Sequence, residues 1–485
     1  MRTRTRQASS LIIAWICILL LLSGCTSSVN SAAQPATPIP ASTVQRHATG
    51  IAGQSAMQAL LMGSGTANQR VQLQVAPALR TGVFAQDRYL NVPAHFQISL
   101  YARVPGARFM AETPDGHVLV SQPGQGDVLL IRPASNGGTP QTLVFAKGLR
   151  KPHDIVFHTI DATTYVYITE SNAVDRFVYH TGDTQAQGRQ VIISNLPDSS
   201  LPELHGIYGH ELKNIAIDGY NKLYLSIGSS CNACISDTLS NPVRGAIYQY
   251  NADGTRGHLY ARGLRNGEGL GFVPGTNELW AAINNRDNLA YPFQDTTGQY
   301  QKVVPGYVDN HPPDEFARIT QGANYGWPFC NPDPNNGMNH MPFDRDVQTN
   351  ADGHVDCNTM TRIDKGIQAH SAPLGLTFLS DATNSTNSTN STNPTDLHDM
   401  HRSGALISLH GSWNRTIRTG FKVIYFPWNM QTQQPEQQMD LVTGWMQNTT
   451  DYPWGRPVDA IVDQQGNILI SDDEAGAVYK LTYQA

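Results

Sequence analysis

The sequence predicts an all-β protein that repeats one structural unit, and three features of the 485 residues indicate it. Charged residues make up only 15%, below the roughly 25% usual in soluble domains, and 42 glycines with 29 prolines imply many turns. Short segments of alternating apolar and polar residues, bounded by Gly, Asn and Asp, recur along most of the chain. The sequence has no convincing long amphipathic helix between these segments. This composition disfavours coiled coils and helical arrays, and the net charge of −6 disfavours nucleic acid as a partner.

The N-terminus has the pattern of an export signal. Three arginines precede the apolar run 11–22, which is shorter than the roughly 20 residues that a membrane-spanning helix needs. The run ends in Leu22-Ser23-Gly24-Cys25, which resembles a bacterial lipobox, in which the cysteine becomes the lipidated N-terminus. An ordinary cleaved signal or a short membrane anchor is the alternative. We expect 1–25 to be a lipoprotein signal peptide and the protein to be exported and lipid-anchored at Cys25, facing the periplasm or the cell exterior.

Two segments have the biased composition of flexible chain. Residues 26–75, most strongly up to about Gly65, are rich in Ser, Ala, Thr and Pro, and we expect a tether between the membrane and the domain. Residues 384–395 repeat Asn-Ser-Thr and have too little apolar content to bury a core, which predicts a mobile loop. The folded domain is therefore expected to span 76–485.

Export also determines how the cysteines are interpreted. Cys231, Cys234, Cys330 and Cys357 remain once Cys17 and Cys25 are set aside, an even number in an oxidising compartment. We expect Cys231 to pair with Cys234 and Cys330 with Cys357, although four cysteines allow three connectivities. A catalytic dithiol and half of a zinc site remain alternatives for the first pair.

Six repeated units predict a six-bladed β-propeller. Each unit is a polar turn followed by an alternating strand, a break and usually a second strand, and the first strands lie at 115–120, 164–168, 221–225, 277–280, 403–407 and 466–470. Radial repetition of such units leaves only short, protected sheet edges. The regular spacing fails between the fourth and fifth units, where we expect an insertion that carries Cys330, Cys357 and the Asn-Ser-Thr loop. A pair of β-sandwiches would repeat less evenly.

Polar residues at strand entrances are the candidates for chemistry, because the loops of several blades meet at the tunnel of a propeller. His210 precedes a predicted strand, and an imidazole titrates near neutral pH, so it can serve as a general base. A hydrogen-bonded surface histidine is the plain alternative. Arg265 and Asn266 stand among glycines that allow a close approach of backbone to a ligand, and arginine offers planar paired donors. A structural turn is the alternative there.

A third group lies near the C-terminus. Trp413 offers a flat ring for stacking, and Arg415 and Arg456 offer cations for anionic groups. Taken singly, these residues would be interpreted as a core tryptophan and two surface arginines.

Taken together, the motifs resemble the pyrroloquinoline quinone (PQQ)-dependent sugar dehydrogenases of the glucose/sorbosone dehydrogenase family, above all its sorbosone- and pyranose-dehydrogenase-like members. The matching segments run in the family's order from about Phe109 to the end of the chain. They are 210–218 with 226–234, 264–270, 314–316 with 322–328, 370–375, 411–415 and 455–459.

The resemblance implies a six-bladed propeller with PQQ at the tunnel mouth and a calcium ion between PQQ and backbone carbonyls. His210 matches the general base that takes a proton from the sugar while hydride passes to the quinone C5. Arg265 and Asn266 match the pair beside the quinone oxygens. Further matches are the cofactor-contact positions His153, His370, Trp413, Arg415 and Arg456, and the metal-binding turn whose carbonyls belong to Asn284 and Asn285.

The implied activity is oxidation of a sugar hydroxyl or aldehyde, of an aldose, pyranose or sorbosone-type substrate. Electrons would leave to an external acceptor such as a quinone or a cytochrome. Arg415 stands where soluble glucose dehydrogenases have lysine, and Asp154 stands where small residues are common. A calcium-dependent lactonase or other hydrolase is the alternative, but it needs carboxylates spread over the blades, whereas Asp287, Asp314 and Glu315 lie close together in sequence. A ligand-binding propeller without activity is the third interpretation.

Overall fold

The structure is a computed structural model that describes residues 66–134, 138–380, 403–448 and 452–484. Within these residues, six antiparallel sheets of four or five strands contain most of the secondary structure. The predicted six-bladed β-propeller is therefore confirmed. We number the sheets as blades I to VI in the order of their first strands.

The strands of each blade are given in their order across the sheet, from the strand nearest the centre of the ring to the strand at its periphery. Blade I has β4 (Met110–Glu112), β5 (Val118–Gln122), β6 (Asp127–Arg132) and β7 (Gln141–Ala146). Blade II has β8 (Ile155–Ile160), β9 (Thr163–Thr169), β10 (Val174–Val178) and β11 (Gln187–Ile193). Blade III has β12 (Lys213–Ile217), β13 (Lys222–Ile227), β14 (Ala246–Asn251) and β15 (His258–Arg262).

The later blades carry the additions and the closure of the ring. Blade IV has β16 (Asn266–Phe272), β17 (Leu279–Asn284), β18 (Asp314–Ile319), β22 (Ile363–Ile367) and β20 (Asn339–Met341). Blade V has β23 (Pro373–Ser380), β24 (Ser403–Leu409), β25 (Lys422–Asn429), β26 (Gln434–Pro435) and β27 (Met439–Val442). Blade VI has β28 (Pro457–Val462), β29 (Ile468–Asp472), β30 (Ala477–Tyr483) and β3 (Phe96–Arg103).

The remaining elements are short. Two strand pairs lie outside the blades, β1 (Gln69–Gln72) with β2 (Tyr89–Val92) and β19 (Cys330–Pro332) with β21 (Phe343–Arg345). The helical turns are α1 (Pro305–Val308) and the 3-10 helices Pro77–Leu79, Gly82–Phe84, Pro202–Leu204, Ile235–Leu239 and Cys357–Thr359.

The two ends of the domain meet in blade VI. β3 from the start of the domain pairs antiparallel with β30 at its end, from Phe96 opposite Tyr483 to Arg103 opposite Ala477. This pairing joins the first and last blades, so the ring closes and leaves no long sheet edge between them.

The core lies between neighbouring blades. Strands such as β5 and β29 are buried along their whole length because each blade packs both of its faces against a neighbour. At the interface of blades IV and V, the ring of Trp280 lies 4.8 Å from Phe316 and 5.0 Å from Trp428 between ring centroids. Large rings therefore fill the widening space between blades.

The expected insertion lies partly inside blade IV. Cys330 of β19 is joined to Cys357 between β18 and β22, with 5.6 Å between the Cα atoms. The second disulfide, Cys231 to Cys234, follows β13, so both cysteine pairs are those expected. The Asn-Ser-Thr segment 384–395 falls between β23 and β24 and lies outside the described residues.

Ordered structure is already present before residue 76. Gln69–Gln72 pairs with Tyr89–Val92, and Leu73 is buried in the core between blades V and VI. Residues 1–65, including Cys25, lie outside the described residues. In the described ranges, no helix is both long and apolar enough to cross a membrane.

The first strands of the six blades line the centre of the ring. β4, β8, β12, β16, β23 and β28 each contact the next around a closed circle. Because the blades repeat one unit around one axis, these innermost strands begin at the same end of the central tunnel. We call this end the tunnel mouth, and the residues that precede the six strands surround it.

Candidate active site at the tunnel mouth

Five of the predicted site residues lie shortly before innermost strands. His153 precedes β8, His210 precedes β12, Arg265 precedes β16, His370 precedes β23 and Arg456 precedes β28. Five blades thus each place a histidine or an arginine at the same end of the tunnel. The fold collects in one place segments that are far apart in the sequence.

The tautomer of His210 is set by Ser229. Its Nδ1 lies 3.0 Å from the Ser229 carbonyl oxygen and 2.9 Å from Ser229 Oγ. A carbonyl oxygen only accepts, so Nδ1 carries the hydrogen and Nε2 carries the lone pair. Burial, with the positive charge of Arg265, lowers the pKa of His210 from 6.5 to about 3. His210 is therefore neutral at neutral pH and can accept a proton at Nε2.

A glycine allows the His210 and Asn266 segments to approach each other. A Cβ atom at Gly228 would lie 2.5 Å from Asn266 Oδ1 and 2.7 Å from the His210 carbonyl oxygen. No side chain fits between them. Gly228 therefore sets the close spacing of blades III and IV at the mouth.

Arg265 is a buried cation with a fixed orientation. Only 6% of the residue is exposed, and its Nη2 donates to Asp287 Oδ2 at 2.6 Å. Its Nε donates to the Asn232 carbonyl oxygen at 3.3 Å. Burial lowers the pKa of Arg265 while Asp287 opposes that change, and a guanidinium keeps its charge. The site thus has a permanent positive charge beside a neutral imidazole.

The side-chain amide of Asn266 is oriented by the carboxylate of Glu268. Its Nδ2 donates to Glu268 Oε1 at 2.9 Å, and His153 Nε2 donates to Glu268 Oε2 at 3.1 Å. Burial alone would raise the pKa of Glu268, but the hydrogen bond and charge of His153 lower it to about 2. His153 is fully buried against Phe109, so it reaches the mouth through Glu268 rather than directly.

His370 connects the Arg265 side of the mouth to blade V. Its Nε2 donates to the Val308 carbonyl oxygen at 2.8 Å, and its Nδ1 lies 3.7 Å from Asp287 Oδ1. His370 and Ala372 have φ angles of 63° and 55°, a region that side chains other than glycine rarely adopt. Such backbone conformations cluster at ligand sites, where the surrounding structure enforces them.

Arg415 follows β24 of blade V, and Arg456 precedes the innermost strand of blade VI. Arg415 Nη1 donates to the Ala369 carbonyl oxygen at 3.2 Å, and Arg456 Nε donates to the His410 carbonyl oxygen at 3.0 Å. Among the described residues, neither guanidinium forms an ion pair with a carboxylate. Trp413 is 69% exposed, so it is not a core tryptophan and offers a free ring face. This side of the mouth can therefore bind an anionic, planar group.

Two charged residues of the mouth, Glu268 and Arg108, were not predicted from the sequence. Glu268 lay unassigned between two glycines, although an acidic residue in an inner strand is a signal for a buried polar network. Arg108, which closely precedes β4, donates from Nη1 to Asp473 Oδ2 at 2.9 Å. His410 Nε2 donates to the other oxygen of Asp473 at 2.8 Å. Burial alone would raise the pKa of Asp473, but His410 and Arg108 together lower it. Blade I therefore also supplies a cation.

The side chains of the proposed metal-binding turn are already engaged. Asn284 Nδ2 donates to the Pro373 carbonyl oxygen at 2.6 Å, and Asn285 Nδ2 donates to Glu315 Oε1 at 2.6 Å. Asn285 Oδ1 is also engaged, because it accepts from the Arg286 N–H at 2.8 Å. The backbone carbonyls of the turn are the oxygens expected to face an ion. In the described parts of the chain, no group of three or more His, Cys, Asp or Glu residues is placed to hold a metal ion.

Comparisons with known proteins match this architecture. The TrAA12-like family model matches residues 94–484. An uncharacterized protein of Borreliella burgdorferi is 24% identical over 403 residues, which cover 81% of this chain and 91% of the relative.

Two solved structures have a similar fold. The holo form of the pyranose dehydrogenase PQQ domain from Coprinopsis cinerea is 18% identical, with a TM-score of 0.64, and covers 81% of this chain and 97% of that chain. The calcium structure of a family AA12 carbohydrate-active enzyme from Trichoderma reesei is 20% identical, with the same TM-score and coverage. The likeness shows that the fold is shared, as the motifs predicted. Because the matched residues include every strand of the six blades, the chain belongs to the TrAA12-like family.

Proposed function

We propose that this protein is a sugar dehydrogenase that uses PQQ and calcium and passes electrons to an external acceptor. The chain has the fold of PQQ-dependent sugar dehydrogenases. The observation that carries the proposal is the pairing of a neutral His210, with its Nε2 lone pair available, and the buried, charged Arg265 at one tunnel mouth.

The residues of the mouth fit PQQ. This cofactor is a planar molecule with three carboxyl groups, so it needs cations and a stacking surface. Arg415 and Arg456 are bonded to carbonyl oxygens and keep their positive charge for an anion, and Trp413 has an exposed ring. Within the described residues, the side-chain amide of Asn414 has no hydrogen-bond partner, which suits a polar ligand.

The residues also fit a calcium ion next to the cofactor. In blade IV, Asn284 is the register partner of Asn266, so the turn of Asn284 and Asn285 lies beside the Arg265-Asn266 pair. Calcium accepts backbone carbonyl oxygens as ligands, and carboxylates of a bound anion would complete its coordination. The two carbonyls would hold the ion against the cofactor, and the engaged amide side chains would keep the turn rigid.

The residues of the chain then have defined roles. When bound, PQQ supplies a quinone carbon that accepts a hydride. His210 accepts the hydroxyl proton of the sugar at Nε2, while Ser229 retains the hydrogen on Nδ1. Arg265 stabilises the negative charge that develops on oxygen during the transfer, and its orientation is set before the reaction by Asp287.

The substrate class and the setting belong to the same proposal. The oxidised group is a hydroxyl or aldehyde of an aldose, pyranose or sorbosone-type sugar. The electrons leave to a quinone or a small cytochrome. Export and lipid anchoring at Cys25 would place the enzyme at the cell membrane, where both kinds of acceptor occur.

Reconstitution tests this function. Purified protein is incubated with PQQ and Ca²⁺, and a panel of sugars is assayed with an artificial electron acceptor. We expect a sugar-dependent change in the cofactor spectrum and turnover that His210→Asn abolishes while PQQ remains bound. His158→Asn is the matched control, because His158 lies on β8 and bonds to Asn221 away from the mouth. If no sugar reduces the bound cofactor, the proposal is wrong.

A further inference from the structure

The stretch from Ser229 to Asn232 contacts both reactive side chains of the mouth. The Ser229 backbone N–H donates to the Arg265 carbonyl oxygen at 2.9 Å, and Ser229 Oγ lies 2.9 Å from His210 Nδ1. Ser229 Oγ donates in turn to the Cys231 carbonyl oxygen at 2.8 Å. The positions of His210 and Arg265 therefore depend on one short stretch of backbone.

Asn232 clamps Arg265 from two sides. Its carbonyl oxygen accepts from Arg265 Nε at 3.3 Å and from Trp327 Nε1 at 3.0 Å. Its side chain pairs with the backbone of Asp287, where Nδ2 donates to the carbonyl oxygen and Oδ1 accepts from the N–H, both at 2.8 Å. Asp287 also holds Arg265 Nη2 through its carboxylate, so Asn232, Asp287 and Arg265 form a closed circuit of hydrogen bonds.

A disulfide closes the backbone around Asn232. Cys231 and Cys234 are three residues apart and joined, so the loop of four residues cannot open while the bond is intact. Both cysteines are partly exposed, so a small reductant can reach this disulfide from either side.

We propose that the loop closed by Cys231 and Cys234 positions Arg265 for reaction through Asn232, so that opening the loop lowers turnover and leaves the propeller folded. This inference rests on the proposed function, in which Arg265 stabilises charge at the reacting oxygen. A dithiol opens the loop by breaking the S–S bond, which takes up two electrons and two protons to give two thiols, and the dithiol becomes a cyclic disulfide. The loop is thus a positioning element whose state depends on its redox environment.

Variants separate the loop from general stability. Asn232→Ala removes only the two side-chain bonds to Asp287, and Cys231→Ser with Cys234→Ser opens the loop. The matched controls are Asn358→Ala, an asparagine that follows Cys357 in the other disulfide, and Cys330→Ser with Cys357→Ser. Asn358 is exposed and its side chain bonds to Asp356, away from the mouth.

Two measurements are made on each protein. In the PQQ-loaded enzyme, we expect kcat to fall about ten- to a hundred-fold in the Asn232 and Cys231/Cys234 variants, with KM within about twofold, because misplacing a reacting group lowers the rate of the chemical step. In the protein without cofactor, we expect the amides of Asp287 and Ser229 to exchange hydrogen for deuterium faster. The controls should keep wild-type values for both.

The outcomes distinguish the two proposals. If the wild type turns over sugar and both loop variants keep its kcat and its exchange rates, the positioning role is wrong. Equal losses in Asn358→Ala would also contradict it, because they would indicate general destabilisation. If the wild type does not turn over with PQQ, the proposed function fails, and the exchange rates of Asp287 and Ser229 still decide whether the loop clamps Arg265.

Discussion

The ionisation of His210 leads to a quantitative prediction about the acid limb of the pH profile. Burial and the charge of Arg265 place the pKa of His210 at about 3 instead of 6.5. At pH 5 an imidazole with a pKa of about 3 is about 99% neutral, whereas one with an ordinary pKa is only about 3% neutral. If His210 is the base, kcat/KM should therefore change little between pH 7 and pH 5, where an ordinary histidine would lose about twenty-five-fold.

Two measurements check this prediction. The profile of kcat/KM against pH reports the base of the free enzyme, and the nitrogen chemical shifts of His210, assigned with His210→Asn, report its protonation directly. We expect shifts of a neutral ring with the hydrogen on Nδ1 down to pH 5. Arg265→Met should raise the pKa of His210 by removing a positive charge, but should leave it below 6.5 because burial is the larger cause. An acid limb or a chemical-shift titration near pH 6.5 in the wild type would refute the reasoning.

Three further predictions concern the rest of the mouth. Arg456→Ala should weaken PQQ binding at least about tenfold, because it removes a charge-assisted contact, and should leave kcat nearly unchanged at saturating PQQ. The affinity is measured by titration, and an unchanged affinity would show that Arg456 is not part of the cofactor site. Glu268→Gln should lower both kcat and the melting temperature, because it weakens the hydrogen bond to Asn266 and the buried ion pair with His153. A variant with wild-type activity and stability would contradict this role of Glu268. Chelation of Ca²⁺ should abolish turnover, and added Ca²⁺ but not Mg²⁺ should restore it, because a site of backbone carbonyls suits the larger ion. Turnover that survives chelation would argue against a calcium site at Asn284 and Asn285.

The strands that could be recognised from the sequence are short apolar segments between polar turns. The second and third strands of blade I, β5 and β6, are of this kind, with Val118-Leu119-Val120 and Val128-Leu129-Leu130-Ile131. The innermost strands lack this signal, because β4 has three residues and β16 has glycine at every second position. The pairing of β3 with β30 joins segments more than 370 residues apart, so no local pattern indicates it.

The site residues that could be predicted from the sequence are those whose residue type alone indicates a chemical role. His210, Arg265 and Arg456 stood out as a base and cations at strand entrances. Glu268 did not, because its role depends on His153, which lies 115 residues away in the sequence. Likewise, the contacts of Asn232 with Arg265 and Asp287 exist only once blades III and IV are packed together.

A crystal structure of the protein with PQQ, Ca²⁺ and a bound sugar tests the central claim most directly. We expect the cofactor at the tunnel mouth, with carboxyl groups on Arg415 or Arg456, its quinone oxygens beside Arg265, and His210 Nε2 within about 3.2 Å of a sugar hydroxyl. Electron density for the cofactor outside the mouth, or a sugar bound out of reach of His210, would contradict it.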